Sequence, residues 1–151
     1  MTYKATKQDD GKYIIHDVDI FHEYVHEFDP NSGPGIRDRD WEPPNPPLPI
    51  ERHVFDAKWL REAVSVSGQF PIYVGEEIVG HGQNLWVAEF TGRARLVADL
   101  VVNASTYDRI AKGELPFRSV EINDPNVPKI SGLALLRSAL FSRMPLLTLN
   151  A

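Results

Sequence analysis

A proline-rich segment, residues 29–49, divides the chain and limits the folds that it can adopt. It holds seven of the twelve prolines in 151 residues. Proline fixes φ and lacks the amide donor that helices and central strands need, so the segment predicts an extended arm or long loop. Long connections without regular structure are usually functional or disordered. Its large apolar side chains, Trp41, Ile36 and Leu48, are spaced like anchors along an extended chain. We therefore expect the arm to dock on a neighbouring subunit or capsid protein, with Trp41 as the main anchor.

The composition predicts a single globular domain, residues 1–151, with the arm inserted in it. The chain is 42% hydrophobic and 25% charged, as folded domains are, and is long enough to bury a core. A net charge of −5 argues against a nucleic-acid partner. The absence of cysteine excludes a disulfide framework, a cysteine nucleophile and a cysteine-based zinc site. Because no apolar run is long enough to span a bilayer, we expect no membrane partner.

Around the arm, the pattern predicts strands with two or three short helices. One helix is predicted for Asp56–Ser67, with Asp56 as N-cap and Gly68 as its end, and a second for Ser105–Lys112. Runs of β-branched and aromatic residues predict strands at Lys12–Ile20, Phe70–Gly75, Leu85–Phe90, Arg93–Val102, Phe117–Ile122 and Ile130–Leu136. The fold class that follows is α+β, with a bent antiparallel sheet or a small β-barrel.

Residues 22–26 read His-Glu-Tyr-Val-His, the HExxH pattern of zinc hydrolases. On a helix, the two histidines share one face and Glu23 is the general base. This segment, however, follows a strand-like stretch and soon meets Pro30, and neither Glu51 nor His53 has a recognisable spacing for a third ligand. We therefore expect two surface histidines at a polar edge, and no bound metal.

Ser119 is the candidate nucleophile. Side chains along Phe117–Ile122 alternate between two faces, so Val120 is expected to face the core and Ser119 the opposite side. A serine nucleophile needs a base within hydrogen-bonding reach, and the candidate is His81, which lies in a predicted turn, Gly80-His81-Gly82. Taken on the residues alone, the simpler interpretation is a polar side chain on a solvated face and an exposed turn histidine.

The order of these motifs resembles the prohead or capsid maturation proteases of tailed bacteriophages, which are similar in fold to the herpesvirus assemblins. The resemblance is carried by Gly80-His81, Val97–Leu100, Gly113–Ile122, Ile130–Leu136 and Pro145–Leu147. It implies an assemblin-like fold in which His81, the general base, and Ser119, the nucleophile, face one groove across adjacent strands. It also implies a major capsid or scaffold protein as partner, a homo-oligomer or capsid-bound state, and no cofactor. The location implied is the virion or prohead, or the host cytoplasm during assembly.

The chain departs from that family at the third catalytic position. The family has a carboxylate or histidine on the strand after the serine, and Ile130–Leu136 has neither. Glu121, which shares a face with Ser119, is the first substitute, and Asp99 is the second. Two functions stay open. The resemblance favours a head-assembly serine endopeptidase with a Ser119–His81 dyad, and the arm favours an inactive or weak protease-like fold retained as a cement or minor capsid protein.

Overall fold

The computed structural model describes residues 2–33, 40–89, 92–138, 147 and 149. The strands are β1 (Ala5–Lys7), β2 (Tyr13–His22), β3 (Tyr24–Phe28), β4 (Glu51–Phe55), β5 (Phe70–Val74), β6 (Glu77–Ala88), β7 (Arg95–Val102), β8 (Phe117–Glu121) and β9 (Gly132–Leu136). The helices are α1 (Ala57–Val66) and α2 (Ala104–Ala111). Seven strands form one sheet in the order β1-β2-β7-β6-β5-β9-β8, and β3 and β4 form a separate pair.

This arrangement confirms the predicted α+β class. All neighbouring strands are antiparallel except β5 and β9, which run parallel. The seven-stranded sheet curls into a half-barrel around its apolar inner face. The side chains on that face are fully buried and include Ile15, Ile20, Phe70, Ile72, Leu96, Leu100 and Leu133. Helix α1 adds Trp59, Leu60 and Ala63 to the same core.

The two helices begin at residues whose side chains cap them. Asp56 accepts a hydrogen bond from the amide of Trp59, as the sequence predicts for the first residue of this helix. The second helix starts one residue earlier than predicted, because Asn103 is its cap and accepts from the amide of Thr106. Ser105, the first residue of the predicted helix, donates its hydroxyl to the side chain of Asn103.

The two glycines beside His81 serve close packing and form no turn. The segment Gly80-His81-Gly82 lies inside β6, and the turn between β5 and β6 lies at residues 75–76. A Cβ at Gly80 would lie 1.9 Å from the carbonyl oxygen of Val101, and one at Gly82 would lie 2.0 Å from the ring of Phe70. The predicted turn is therefore wrong, because each of the two glycines makes room for a neighbour in the curled sheet.

At the level of Asp99, a bulge lies on each side of β7. The register between β2 and β7 shifts between Ile15 and Val18, and the register between β6 and β7 shifts between Gln83 and Trp86. Each bulge contains a residue other than glycine with a left-handed backbone, Asp17 at φ 52° and Asn84 at φ 55°. Bulges increase local twist and coiling, so the pair lets the sheet curl at this level.

A buried arginine joins the far edge of the sheet to β2. Arg118 on β8 is 3% exposed and points into the half-barrel. Its Nε donates to the main-chain oxygen of Asp19, and a terminal nitrogen donates to the hydroxyl of Tyr3 at 3.2 Å. Burial lowers the pKa of Arg118 and raises that of Tyr3. These hydrogen bonds connect β8 to β2 at the place where a closed barrel would have backbone pairing between strands.

The β3–β4 hairpin projects from this body, and the proline-rich segment is its loop. At the base of the hairpin, the buried ring of Phe55 meets Phe21 and Trp59 edge to face, at 5.2 and 4.9 Å between centroids. Farther out, Val25 and Val54 lie opposite each other and are exposed. The body therefore buries its core without the outer part of the hairpin.

The alternation along β8 generates a test of the inner and outer faces. Val120 packs against the core opposite the fully buried Leu133, so Val120→Asp would place a charge among apolar groups. The cation on that face, Arg118, already donates to Asp19 and Tyr3. We expect Val120→Asp to lower the free energy of unfolding in urea by about 3 kcal/mol or more. Ser119→Ala, the outward-facing control, should change it by less than about 0.5 kcal/mol; equal effects would mean that the faces are reversed.

Candidate functional site

Ser119 lies on the outer, convex face of the sheet. On β8 it is directly opposite Ala134 of β9, and Ala134 is paired in turn with Tyr73 of β5. Its neighbour Arg118 is buried and points into the half-barrel, so the serine must point outwards. The serine hydroxyl is 3.5 Å from the main-chain oxygen of Val120, a long contact within its own strand.

His81 lies on the same outer face but on a distant strand. It is opposite Pro71 of β5 and Val101 of β7, and its Nε2 is 3.0 Å from the side-chain oxygen of Gln83. Strands β5 and β9 separate β6 from β8. Three strand spacings amount to about 14 Å, several times the length of a hydrogen bond. The predicted adjacency of His81 and Ser119 is therefore wrong.

Glu121 lies beside Ser119 rather than beside His81. It is opposite Gly132, and a Cβ on that glycine would lie 2.7 Å from a carboxylate oxygen of Glu121 and 3.1 Å from the ring of Tyr73. Because Gly132 has no side chain, the carboxylate of Glu121 and the ring of Tyr73 can approach each other above it. The structure groups Ser119, Glu121 and Tyr73 on one patch, while His81 lies elsewhere on the outer face.

Asp99 holds the two sheet bulges together. On β7 its carboxylate accepts from the amide of Asp17 at 3.0 Å and from the side-chain amide of Asn84 at 2.9 Å. These are the two left-handed residues of the flanking strands. Both carboxylate oxygens are therefore engaged, and neither bonds to His81. The role that this arrangement supports is a structural clamp across three strands.

Tyr73 belongs to the outer patch, although it lies in no sequence motif that points to catalysis. The alternation in the run Phe70–Val74 places Phe70 and Ile72 in the core and Tyr73 outside. That alternation was a usable signal for its face. Its position beside Ser119 depends on the parallel pairing of β5 with β9, which joins segments about sixty residues apart. No local pattern encodes such a pairing.

The HExxH motif is extended instead of helical. His22 ends β2 and His26 lies in β3, where its ring stacks on that of His53 with centroids 6.5 Å apart. Glu23, between the strands, accepts from the amide of Ala57 at the start of α1. Within the residues that the structure describes, no three His, Asp or Glu side chains group in a way that could hold a metal ion.

The base of the arm is organised by polar side chains. Asn31 donates to the carbonyl of Leu48 and accepts from its amide, at 2.8 and 2.9 Å, so that its side chain acts like a short piece of paired strand. The ring of Trp41 lies against Gly33 within the arm. Leu48 is 50% exposed. Ile36, the third predicted anchor, lies outside the described residues, and docking through these side chains stays a prediction.

Comparison of the chain with protein-family models, with curated proteins and with solved structures finds no match. Helices long and apolar enough to cross a membrane are absent from the part of the chain that the structure describes. The function is therefore inferred from the geometry above and from the motif order in the sequence.

The clamp role of Asp99 can be tested by removing its carboxylate. Asp99→Ala leaves the amides of Asp17 and Asn84 without their acceptor at two strained backbone positions. We expect a loss of about 2 kcal/mol in the free energy of unfolding, measured in urea. The control Asp108→Ala removes an exposed carboxylate from α2 and should stay within about 0.5 kcal/mol of the parent chain. If the two variants are equally stable, Asp99 does not hold the bulges.

Proposed function

We propose that this protein is a structural component of a tailed-phage head or prohead, with a protease-like fold that does not act through a Ser119–His81 dyad. The observation that carries the proposal is the separation of the two side chains by β5 and β9. A serine hydroxyl becomes nucleophilic when a base within hydrogen-bonding distance takes its proton. At about 14 Å, His81 cannot take that proton.

The other interactions of the candidate residues support the same proposal. His81 is in contact with Gln83, and Asp99 accepts from both bulges. Neither carboxylate is placed to orient the imidazole. Both oxygens of Asp99 accept hydrogen bonds from the bulges, and the carboxylate of Glu121 lies against Gly132. In an active triad the carboxylate holds the histidine tautomer and stabilises the imidazolium. These side chains stabilise the sheet instead.

The hairpin and its arm support a role in assembly. Only the base of the hairpin, at Phe55, contributes to the core, and the part beyond it exposes Leu48, Ile50, Val25 and Val54. An extended proline-rich segment loses little conformational freedom on docking, since its φ angles are already restricted. The motif order described above suggests the setting, in which the partners are the major capsid or scaffold protein. In this proposal the protein is located in the virion or prohead, and in the host cytoplasm during assembly.

The decisive experiment separates structural incorporation from proteolysis. The chain is co-expressed with its cognate major head and scaffold proteins, the particles are purified, and its copy number is measured by quantitative mass spectrometry. We expect a fixed copy number and the same fragment pattern for the parent chain, Ser119→Ala and His81→Ala.

The matched control for that experiment is Ser65→Ala, which removes an exposed hydroxyl from α1. Head or scaffold fragments that appear with the parent chain and with this control, but disappear with Ser119→Ala, would support the endopeptidase alternative instead.

A second prediction concerns the arm. Deleting residues 32–47 joins Asn31 to Leu48. The side chain of Asn31 already lies within 2.9 Å of the main chain of Leu48, so β3 and β4 can still be connected. We expect the deleted chain to keep the thermal stability of the body but to enter particles at a several-fold lower copy number. Trp41→Ala, which removes one predicted anchor, should give an intermediate copy number. Incorporation of the deleted chain at the parental copy number would show that the arm makes no assembly contact.

A further inference from the structure

One face of the β3–β4 hairpin carries an apolar pair next to a pair of opposite charges. The strand register places Val25 opposite Val54 and Glu27 opposite Arg52. Because side chains alternate between the faces of a strand, these four share one side, which we call the ribbon face. The two valines are 42% and 47% exposed, and the charged side chains are more than 60% exposed.

This face is incompletely buried within one chain. A two-stranded hairpin alone in water is marginally stable, because it needs another sheet or helix against one of its faces. Ile50 and Leu48 continue the exposed apolar series from β4 towards the arm, at 60% and 50% exposure. The surface therefore has the composition of a docking site, with apolar groups beside a polar rim.

The order of the charges identifies a second copy of this chain as the occupant. We propose that two ribbon faces pack against each other about a two-fold axis that runs along the hairpin. A rotation about that axis places Val25 over Val54 of the second copy and Glu27 over Arg52 of the second copy. Every contact then occurs twice, as in any isologous interface. A partner surface of a single charge sign would oppose either the acid or the base with a like charge.

The inference deepens the proposed function, because it names one contact that the assembly element makes. Within one chain, Glu27 and Arg52 are 3.8 Å apart and exposed, so their pairing adds little to folding. Between two copies, each carboxylate would meet two guanidinium groups in a less hydrated setting, where charge pairing is stronger. The area of one ribbon face is small, so the purified chain should associate weakly and with a dependence on concentration. Neighbouring copies on a particle would strengthen the contact through multivalency.

Charge reversal tests the pairing on the full-length chain, with the dimer dissociation constant measured by sedimentation velocity over a concentration series. Glu27→Arg and Arg52→Glu each place like charges opposite each other, and each should weaken association at least tenfold. The double variant restores opposite charges in the reversed sense and should return to within about threefold of the parent chain. The control Lys58→Glu reverses an exposed charge of similar kind on α1 and should leave association unchanged.

Each result bears on the inference. A parent chain that is monomeric at every concentration would overturn it, as would single variants that associate like the parent. A folded double variant that stays as weak as the singles would also overturn it. If a single variant loses the circular dichroism of the parent, Val54→Thr replaces it, since this variant keeps the β-branched shape and should still weaken association. The assay contains no head protein, so its failure leaves the copy-number experiment unaffected, and failure of that experiment leaves this one unaffected.

Discussion

The buried guanidinium of Arg118 is the interaction on which the rest of the sheet depends. A cation in an apolar interior is costly unless its donors are satisfied, and here they reach the backbone of Asp19 and the hydroxyl of Tyr3. These bonds hold the last strand of the sheet against β2 and so maintain the curl that encloses the core. The same side chain decides the position of its neighbour. Since Arg118 points inwards, Ser119 must point outwards, onto the convex surface above Ala134.

The small residues of the outer strands determine which side chains can meet. Gly132 leaves the space in which Glu121 and Tyr73 approach each other. In contrast, the space beside Gly80 is occupied by the carbonyl of Val101, and the space beside Gly82 by the ring of Phe70. Only the first of these glycines therefore creates a surface of converging polar groups. The pair beside His81 allows tight packing in β6.

Local physics made much of the fold predictable from the sequence. The period-two alternation along Phe117–Ile122 assigns Val120 to the core, and Asp56 caps its helix because a carboxylate can accept from a free amide of the first turn. What could not be predicted was the order of the strands. Whether β6 lies beside β8 depends on pairings such as that of β5 with β9. Such pairings join segments that are far apart in sequence, so no short motif predicts them. The order of histidine and serine along a chain is thus weaker evidence for a dyad than their placement on neighbouring strands.

The polar side chains singled out as candidates for catalysis hold separate parts of the sheet together. Asp99 stabilises two bulges, and Glu23 supports the first turn of α1. These bonds need no proton transfer and no open cleft, so their contribution to the stability of the fold is sufficient to account for them. The hairpin is under the opposite constraint, because the core does not need its outer half and its ribbon face remains exposed. A long, proline-stiffened extension with an apolar and self-complementary face would be a liability in an isolated monomer, since such faces promote unwanted association. The contact proposed between two ribbon faces would cover this surface, whereas the fold of one chain leaves it exposed.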